Sequence, residues 1–243
     1  MNSLLRMFIL IAASLLLCAQ TCLAQDDLPC EWTGLYLGAH LGAGFSSTHM
    51  NLHDLGTVRV LHPDPGGVIG GGQIGYNLQR GPFVLGLEAD LSDSGMNGNA
   101  NSFPPPGIMG GTSIRSSQNI NWFGTLRPRL GYTVMPRLLL YATGGLAYGD
   151  VSYWERAVSA EPATFGPGSY SGVNLGWTVG GGLEYLISKN WSAKAEYLFC
   201  NLGDQNVTAV SQWIIIPLTT TQSTAAFSTE FSVFDVGLNY RFD

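Results

Sequence analysis

The 243-residue chain carries 11 Lys and Arg against 17 Asp and Glu, a formal net charge of −6, and it has no basic cluster, which argues against nucleic acid as a partner. Only 12% of its residues are charged, against about 25% in ordinary soluble domains, too few to coat a water-facing surface. Beyond the N-terminus no apolar run approaches the roughly 20 residues of a spanning helix, so any membrane span must be built from strands.

The N-terminus reads Met1-Asn-Ser-Leu-Leu-Arg6, then an apolar run to Leu17 and the small residue Ala24 after Cys22-Leu. This predicts a secretory leader over residues 1–24, cleaved after Ala24, with residues 25–243 as the exported domain. The apolar run is too short for a retained anchor. Leu17 before Cys18, and Gln20-Thr21 before Cys22, lack the small residue that a lipoprotein signal places before its cysteine.

Eight segments then alternate apolar and polar side chains, the period of a strand with two unlike faces. The first, residues 32–45, sets Leu35, Leu37, Ala39, Leu41, Ala43 and Phe45 against Gly34, Tyr36, Gly38, His40, Gly42 and Gly44. The second opposes Ile74, Tyr76 and Leu78 to Gln73, Gly75 and Asn77, and the third opposes Phe83, Leu85, Leu87, Ala89 and Leu91 to Glu88, Asp90 and Ser92. In the fourth, Ile120, Trp122, Leu126, Leu130 and Tyr132 lie opposite Asn121, Thr125, Arg127 and Arg129. Leu138, Leu140, Ala142, Leu146 and Tyr148 form the fifth apolar face; Trp177, Val179, Leu183, Tyr185 and Ile187 form the sixth, opposite Thr178 and Glu184. The seventh turns Trp191, Ala193, Ala195, Tyr197 and Phe199 away from Ser192, Lys194 and Glu196. The eighth turns Phe234, Val236, Leu238 and Tyr240 away from Asp235, Gly237, Asn239 and Arg241.

Tight turns at 80–82, 133–136 and 188–190 alternate with long Gly-, Pro-, Ser- and Asn-rich loops near 46–67, 93–117, 152–172 and 204–227. In a meander this puts every long loop at one end and every tight turn, with both termini, at the other. Alternation alone does not tell a soluble barrel with an apolar interior from a membrane barrel with an apolar exterior. Three features decide it. The polar face is made of small residues and charges, which suit the narrow interior of an eight-stranded barrel. The apolar-face aromatics gather in two bands, Tyr76, Phe83, Tyr132, Tyr185, Trp191, Tyr240 and Phe242 at the turn end, and Phe45, Trp122, Tyr148, Trp177, Tyr197, Phe199 and Phe234 at the loop end. The leader directs the chain out of the cytoplasm. The expected fold is all-β, an eight-stranded antiparallel up-and-down transmembrane β-barrel with four long external loops.

Several stretches carry a resemblance: Trp32-Thr-Gly-Leu-Tyr-Leu-Gly38, Trp122-Phe-Gly-Thr-Leu-Arg-Pro-Arg-Leu-Gly-Tyr132, Leu140-Tyr-Ala-Thr-Gly-Gly-Leu-Ala-Tyr-Gly149, Gly176-Trp-Thr-Val-Gly-Gly-Gly-Leu-Glu-Tyr185, Asn190-Trp-Ser-Ala-Lys-Ala-Glu-Tyr197 and Val236-Gly-Leu-Asn-Tyr-Arg-Phe242. As a set they resemble the small alphaproteobacterial outer-membrane β-barrel family of surface-antigen and porin-like proteins. The resemblance covers most of the strands and none of the long loops. It implies location in the outer membrane of a Gram-negative cell envelope, contact with outer-membrane lipid and lipopolysaccharide, and a terminal strand, through Tyr240 and Phe242, that the outer-membrane assembly machinery reads. That signal usually ends on the aromatic, whereas here Asp243 follows Phe242. Members of the family are described variously as surface immunogens, haem binders or porin-like proteins.

The candidate lumen charges are Glu88, Asp90, Arg127, Arg129, Glu184, Lys194, Glu196, Asp235 and Arg241. Buried charges must be paired, and eight strands leave an interior that side chains just fill, so a plugging salt-bridge network is expected rather than a selectivity filter. The function that follows is an envelope structural and surface-interaction protein with a plugged lumen. Its alternatives are a narrow porin-like channel for small solutes, or haem or ligand binding through the external loops, with an external ligand or host surface as partner. His49, His53 and His62 are weak loop candidates for a metal, but their spacing matches no helix site, and neither metal nor cofactor is expected. His40 with a nearby Ser is the only seed of catalysis, and no carboxylate is placed beside it by spacing, so the chain is not expected to be an enzyme. The apolar run Trp213-Ile-Ile-Ile216 before Pro217 reads as a strand extension above the membrane rather than an exposed patch that grips a partner. Cys30 and Cys200 belong at opposite ends of a belt about 25 Å tall, so no disulfide joins them. No peptidoglycan-anchoring domain is expected after the barrel.

Overall fold

The structure is a computed structural model that describes residues 31–46, 50–54, 57–61, 65–102, 112–159, 164–165, 168–213 and 219–242. The leader, Cys30, His49, His62, residues 214–216 and Asp243 lie outside the described residues, as does the side chain of His53.

Eight long strands form the wall: β1 Gly34–Ser46, β2 Gly66–Arg80, β3 Phe83–Ser102, β4 Thr112–Met135, β5 Leu138–Ser159, β6 Gly168–Leu186, β7 Trp191–Trp213 and β8 Thr219–Arg241. Each pairs antiparallel with its sequence neighbour, and β8 pairs back onto β1 with Leu37 opposite Tyr240 and Ala43 opposite Phe234. The ring is closed, so the wall has no free edge and its backbone groups are bonded within the sheet, the condition for strands in lipid. A hairpin, Met50–Asp54 with Thr57–Leu61, joins the loop end of β8, and the bridge Thr164–Phe165 joins that of β7.

Side chains settle which way the apolar face points. Leu37, Leu41, Ile74, Leu85, Leu87, Leu126, Leu130, Leu140, Leu183, Val236 and Leu238 are exposed on the outside, while Glu88, Asp90, Arg127, Arg129, Glu184, Lys194 and Glu196 are buried inside. An apolar belt of this size has no place in water and matches the lipid-facing surface of a spanning barrel. Outward aromatics pair at the two rims, Phe83–Tyr132 and Trp191–Tyr240 at the turn side and Trp122–Tyr148 and Tyr197–Phe234 at the loop side, with ring centroids 5.5, 5.2, 6.1 and 4.6 Å apart.

Two of the three turns are tighter than the sequence implied, while the third runs over residues 187–190, one residue longer than expected. β4 continues to Met135 and turns on Pro136-Arg137, and between β2 and β3 Gly81 adopts φ 59°, the left-handed conformation that a two-residue hairpin needs at its first position. The external loops are shorter than expected because the ladders do not stop at the membrane. β3 and β4 stay paired out to Ser102 and Ile114, β4 and β5 out to Thr112 and Ser159, and β7 and β8 out to Trp213 and Thr219. Trp213 is thus the end of a strand extension. Asn97, Asn99, Asn101, Ser117, Asn119 and Asn121 of these segments face outward on rungs of the extended ladder, which needs no apolar face to hold its backbone bonds.

The expected faces fail at two neighbouring residues of β4, Ile120 and Asn121. The alternation puts Ile120 on the lipid face, but it is fully buried inside the barrel. The register of β4 against β5 slips between Ile120 and Trp122, leaving Asn121 as the extra residue of a β-bulge. The bulge reverses the parity of the strand, so Ile120 and Phe123 both point inward and Asn121 points out.

Candidate functional site

The lumen is the site that the alternation builds, because every second residue of eight strands points into it. Its middle layer is polar. Glu88 of β3 accepts hydrogen bonds from Tyr36 of β1 at 2.6 Å, Arg127 and Arg129 of β4 at 2.8 and 3.3 Å, and Lys194 of β7 at 3.1 Å. Arg127 Nη2 also reaches Asp90 at 3.0 Å and Glu196 at 3.1 Å, Lys194 reaches Glu196 at 3.4 Å, and Arg129 Nη2 reaches Glu184 of β6 at 2.7 Å. Thr125 donates to Asp90. The register sets this up by placing Glu88 opposite Arg127, Lys194 opposite Glu184, and Glu196 opposite Asp235.

Neutral side chains extend the network. Glu184 Oε1 accepts from Ser192 at 2.6 Å and from Asn239 at 2.8 Å, and Asn239 Oδ1 accepts from Gln73 at 2.5 Å. Gln73 Oε1 can only accept, so the 3.0 Å contact to His40 puts a proton on Nδ1; in the neutral ring Nε2 then accepts from Ser92, 2.7 Å away. Two tyrosines flank Arg129, whose guanidinium carbon lies 4.0 Å from the Tyr141 ring centre and 5.7 Å from that of Tyr36. Their rings fit because Gly75 and Gly182 lie beneath them: a Cβ on Gly182 would approach the Tyr141 hydroxyl to 2.7 Å, and one on Gly75 would meet the Tyr36 ring.

Apolar layers close the polar one at both ends. Toward the loops Ile69, Met96, Ile120, Phe123, Val151, Leu198, Cys200, Leu202, Phe231 and Val233 form a buried cluster, with Phe123 and Phe231 edge to face at 5.2 Å. Toward the turns Trp32, Val84, Leu139 and Leu186 are buried. Between the polar and upper apolar layers lies a cavity of about 10 Å³, lined among others by His40, Asp90, Arg127, Glu196 and Asp235. That is about the room one water molecule requires.

Of the nine charges read from sequence, the structure joins Glu88, Asp90, Arg127, Arg129, Glu184, Lys194 and Glu196 in one bonded cluster. Asp235 is buried beside it on the cavity, its Oδ1 without a hydrogen-bond partner among the described residues. Arg241 does not join. It sits at the turn-side end of β8, where its guanidinium donates to the Lys189 carbonyl at 2.6 Å in an exposed contact. The alternation gives the correct parity for Arg241, which stands opposite Tyr36 in the register, but its guanidinium turns to the Lys189 carbonyl and not to the charge cluster.

The upper apolar layer departs from the small, polar and charged inner face that the alternation predicts. Its mark in the sequence is the loss of alternation near the loop ends, as in Tyr197-Leu-Phe-Cys200 and Phe231-Ser-Val-Phe234, where both faces are apolar. Tyr141 was also missed, although its outward neighbours Leu140 and Ala142 leave it no direction but inward. The Ser that meets His40 is Ser92, but the far ring nitrogen is held by an amide, not a carboxylate, and the pair is buried in the lumen. Cys200 is a free, buried thiol whose sulfur lies 3.3 Å from the Thr178 hydroxyl.

Known proteins resemble the chain along its length. Residues 9–242 match the family described as the outer membrane protein beta-barrel domain. The chain is 36% identical over 220 residues to the 31 kDa outer-membrane immunogenic protein of Brucella melitensis, covering 87% of this chain and 84% of that one. It is 35% identical over 171 residues to the 22 kDa outer membrane protein of Rhizobium leguminosarum, covering 70% and 64%. Among solved structures, the outer membrane protein OprG of Pseudomonas aeruginosa superposes with a TM-score of 0.52 over 89% of this chain and 99% of that one, at 12% identity, a likeness of fold. With a closed ring, a polar interior and a lipid-facing belt between aromatic rims, the chain belongs to the outer membrane protein β-barrel family and resides in the outer membrane.

Proposed function

We propose that this outer-membrane protein is a structural and surface-presenting barrel whose lumen is plugged by its own side chains. The observation that carries the reading is the stack of polar and apolar layers across the lumen, centred on Glu88, Arg127, Arg129, Lys194 and Glu196. Interior side chains that bond to one another across the barrel, rather than lining a wall, leave no continuous path for a hydrated solute. The outward role then falls to the strand extensions and loops above the membrane, in keeping with a relative named as an outer-membrane immunogenic protein. The His40–Ser92 pair acts as a link in the lumen network, since a nucleophile and base need an orienting acid and access to substrate. Tyr240 and Phe242, exposed side by side at the end of β8 with ring centroids 5.1 Å apart, are the residues that the assembly machinery reads.

Planar-bilayer recording on the refolded protein tests the plug, with a heat-modifiability gel shift reporting barrel closure. The expected result is a folded, silent barrel. Steady openings that disappear when Arg127 or Glu88 is replaced would overturn the plug in favour of a narrow channel for small solutes.

A further inference from the structure

The lumen cluster is short of positive charge. Among the described residues it holds five carboxylates, Glu88, Asp90, Glu184, Glu196 and Asp235, and three cations, Arg127, Arg129 and Lys194, all of them buried. The shortfall reaches the cavity beneath the upper apolar layer, whose charged walls are Asp90, Glu196 and Asp235 against Arg127 and Lys194. Those two cations are also shared with Glu88, 2.8 and 3.1 Å away. Charges held out of water must be paired, so this part of the lumen lacks a partner.

Two carboxylates meet at this cavity, each with an unused oxygen. Glu196 and Asp235 stand directly opposite each other across β7 and β8. Like charges so placed destabilise a strand pair, unless a cation lies between them. Glu196 Oε2 takes Arg127 at 3.1 Å and Lys194 at 3.4 Å. Glu196 Oε1 and Asp235 Oδ1 have no hydrogen-bond partner among the described residues, and both side chains line the cavity at only 4% and 6% exposure. Buried polar atoms left unpaired beside a cavity point to an occupant that pairs them. Ser92 and Gln73 bring a hydroxyl and an amide oxygen to the same wall.

Size and donor set select the occupant. A cavity of about 10 Å³ has room for one water-sized particle, so an ion held there has shed its water. Magnesium keeps several of its waters, and calcium takes about six to eight oxygens. No group of three or more His, Cys, Asp and Glu among the described residues is placed to hold such a metal. A single positive charge on a small, hard ion is what the walls lack. We propose that the cavity binds one dehydrated alkali cation no larger than a water molecule, such as sodium, between Glu196 and Asp235 with Ser92 beside them. The proposal rests on the closed lumen of the function proposed above, whose own failure shows as conductance and not as a change in unfolding.

Urea unfolding of the refolded barrel in neutral detergent, with sodium chloride exchanged for tetramethylammonium chloride at constant ionic strength, tests it. A ligand that binds only the folded state raises the folded share in proportion to its concentration above the dissociation constant. Raising sodium from about 1 mM to about 100 mM should therefore multiply the folded-to-unfolded ratio of the unaltered protein at least tenfold. Asp235→Asn, which keeps the shape and removes the charge, should respond less than twofold. Ser92→Ala takes one oxygen from the wall and leaves every charge in place, so it keeps the fold, and it should need at least threefold more sodium for the same response. Glu230→Gln, at a carboxylate outside the lumen, should respond as the unaltered protein does. A response under twofold in the unaltered protein overturns the proposal and leaves a neutral water bonded to Arg127 as the occupant. So does a tenfold response that persists unshifted in Ser92→Ala and in Asp235→Asn, which would place the sodium elsewhere.

Discussion

Glu88 gathers four donors from three strands, and its nearest charged partners are as buried as it is. Removing one member of such a cluster leaves the others charged and unpaired in a medium of low dielectric, at a cost of about 3–5 kcal/mol. Glu88→Gln keeps the shape of the side chain and should lower stability toward urea by an amount in that range. A loss under about 1 kcal/mol would mean the cluster behaves like a surface pair and contributes little. A second test at this scale needs only a methyl group. Gly75 and Gly72 belong to the same strand but face opposite ways. A Cβ on Gly75 meets the Tyr36 ring, whereas one on Gly72 meets only the Gly38 carbonyl, at 3.6 Å. Gly75→Ala should displace Tyr36 from Glu88 and cost about 1–3 kcal/mol as overpacking, while Gly72→Ala should be close to neutral in the same unfolding experiment.

At the scale of the strand, β3 offers a measurement of depth. Phe83 stands at the turn-side rim, Asp93 is level with Trp122 at the loop-side rim, and Leu87 lies near the middle of the lipid face. An Arg at the midplane of a barrel's lipid face costs about 2–4 kcal/mol and near the interface about 0–1. Leu87→Arg should therefore destabilise the folded barrel in lipid vesicles by the larger amount and Phe83→Arg by the smaller; equal effects would place the belt elsewhere along the strand. Strands of this kind are legible in sequence because lipid and lumen enforce opposite chemistry on alternate residues. That is why Glu88, Arg127, Lys194 and Glu196 could be assigned to the inside from parity alone. The reading fails where that enforcement stops. At Asn121 a bulge inserts one residue and sends Ile120 inward, a change of parity that no hydrophobic pattern marks. Near Leu198, Cys200 and Phe231 the lumen is itself apolar, so both faces look alike. Above the rim water bathes the outward side, so the Asn and Ser rungs read as loop although their backbones remain paired. At Arg241 the parity holds but the guanidinium bonds the Lys189 carbonyl and not the cluster, a choice of partner that parity does not mark.

For the molecule as a whole, the layers act in series, and a barrier in series is lost only when every layer is opened. Phe123 and Phe231 are the two phenylalanines of the upper apolar layer, packed edge to face at 5.2 Å. Replacing both by Ala removes buried rings at about 3–5 kcal/mol each, and less than the sum together because the two share one cavity. Below them, Arg127 would still bridge Glu88 and Glu196, Lys194 would still reach Glu88, and Trp32, Val84, Leu139 and Leu186 would still close the turn-side end. The double variant should therefore lose stability, keep its folded gel mobility in the cold, and remain silent in planar bilayers. Steady conduction from this variant would mean that the phenylalanine pair is a single gate over an open lumen, and that the charges beneath it line a path instead of filling one.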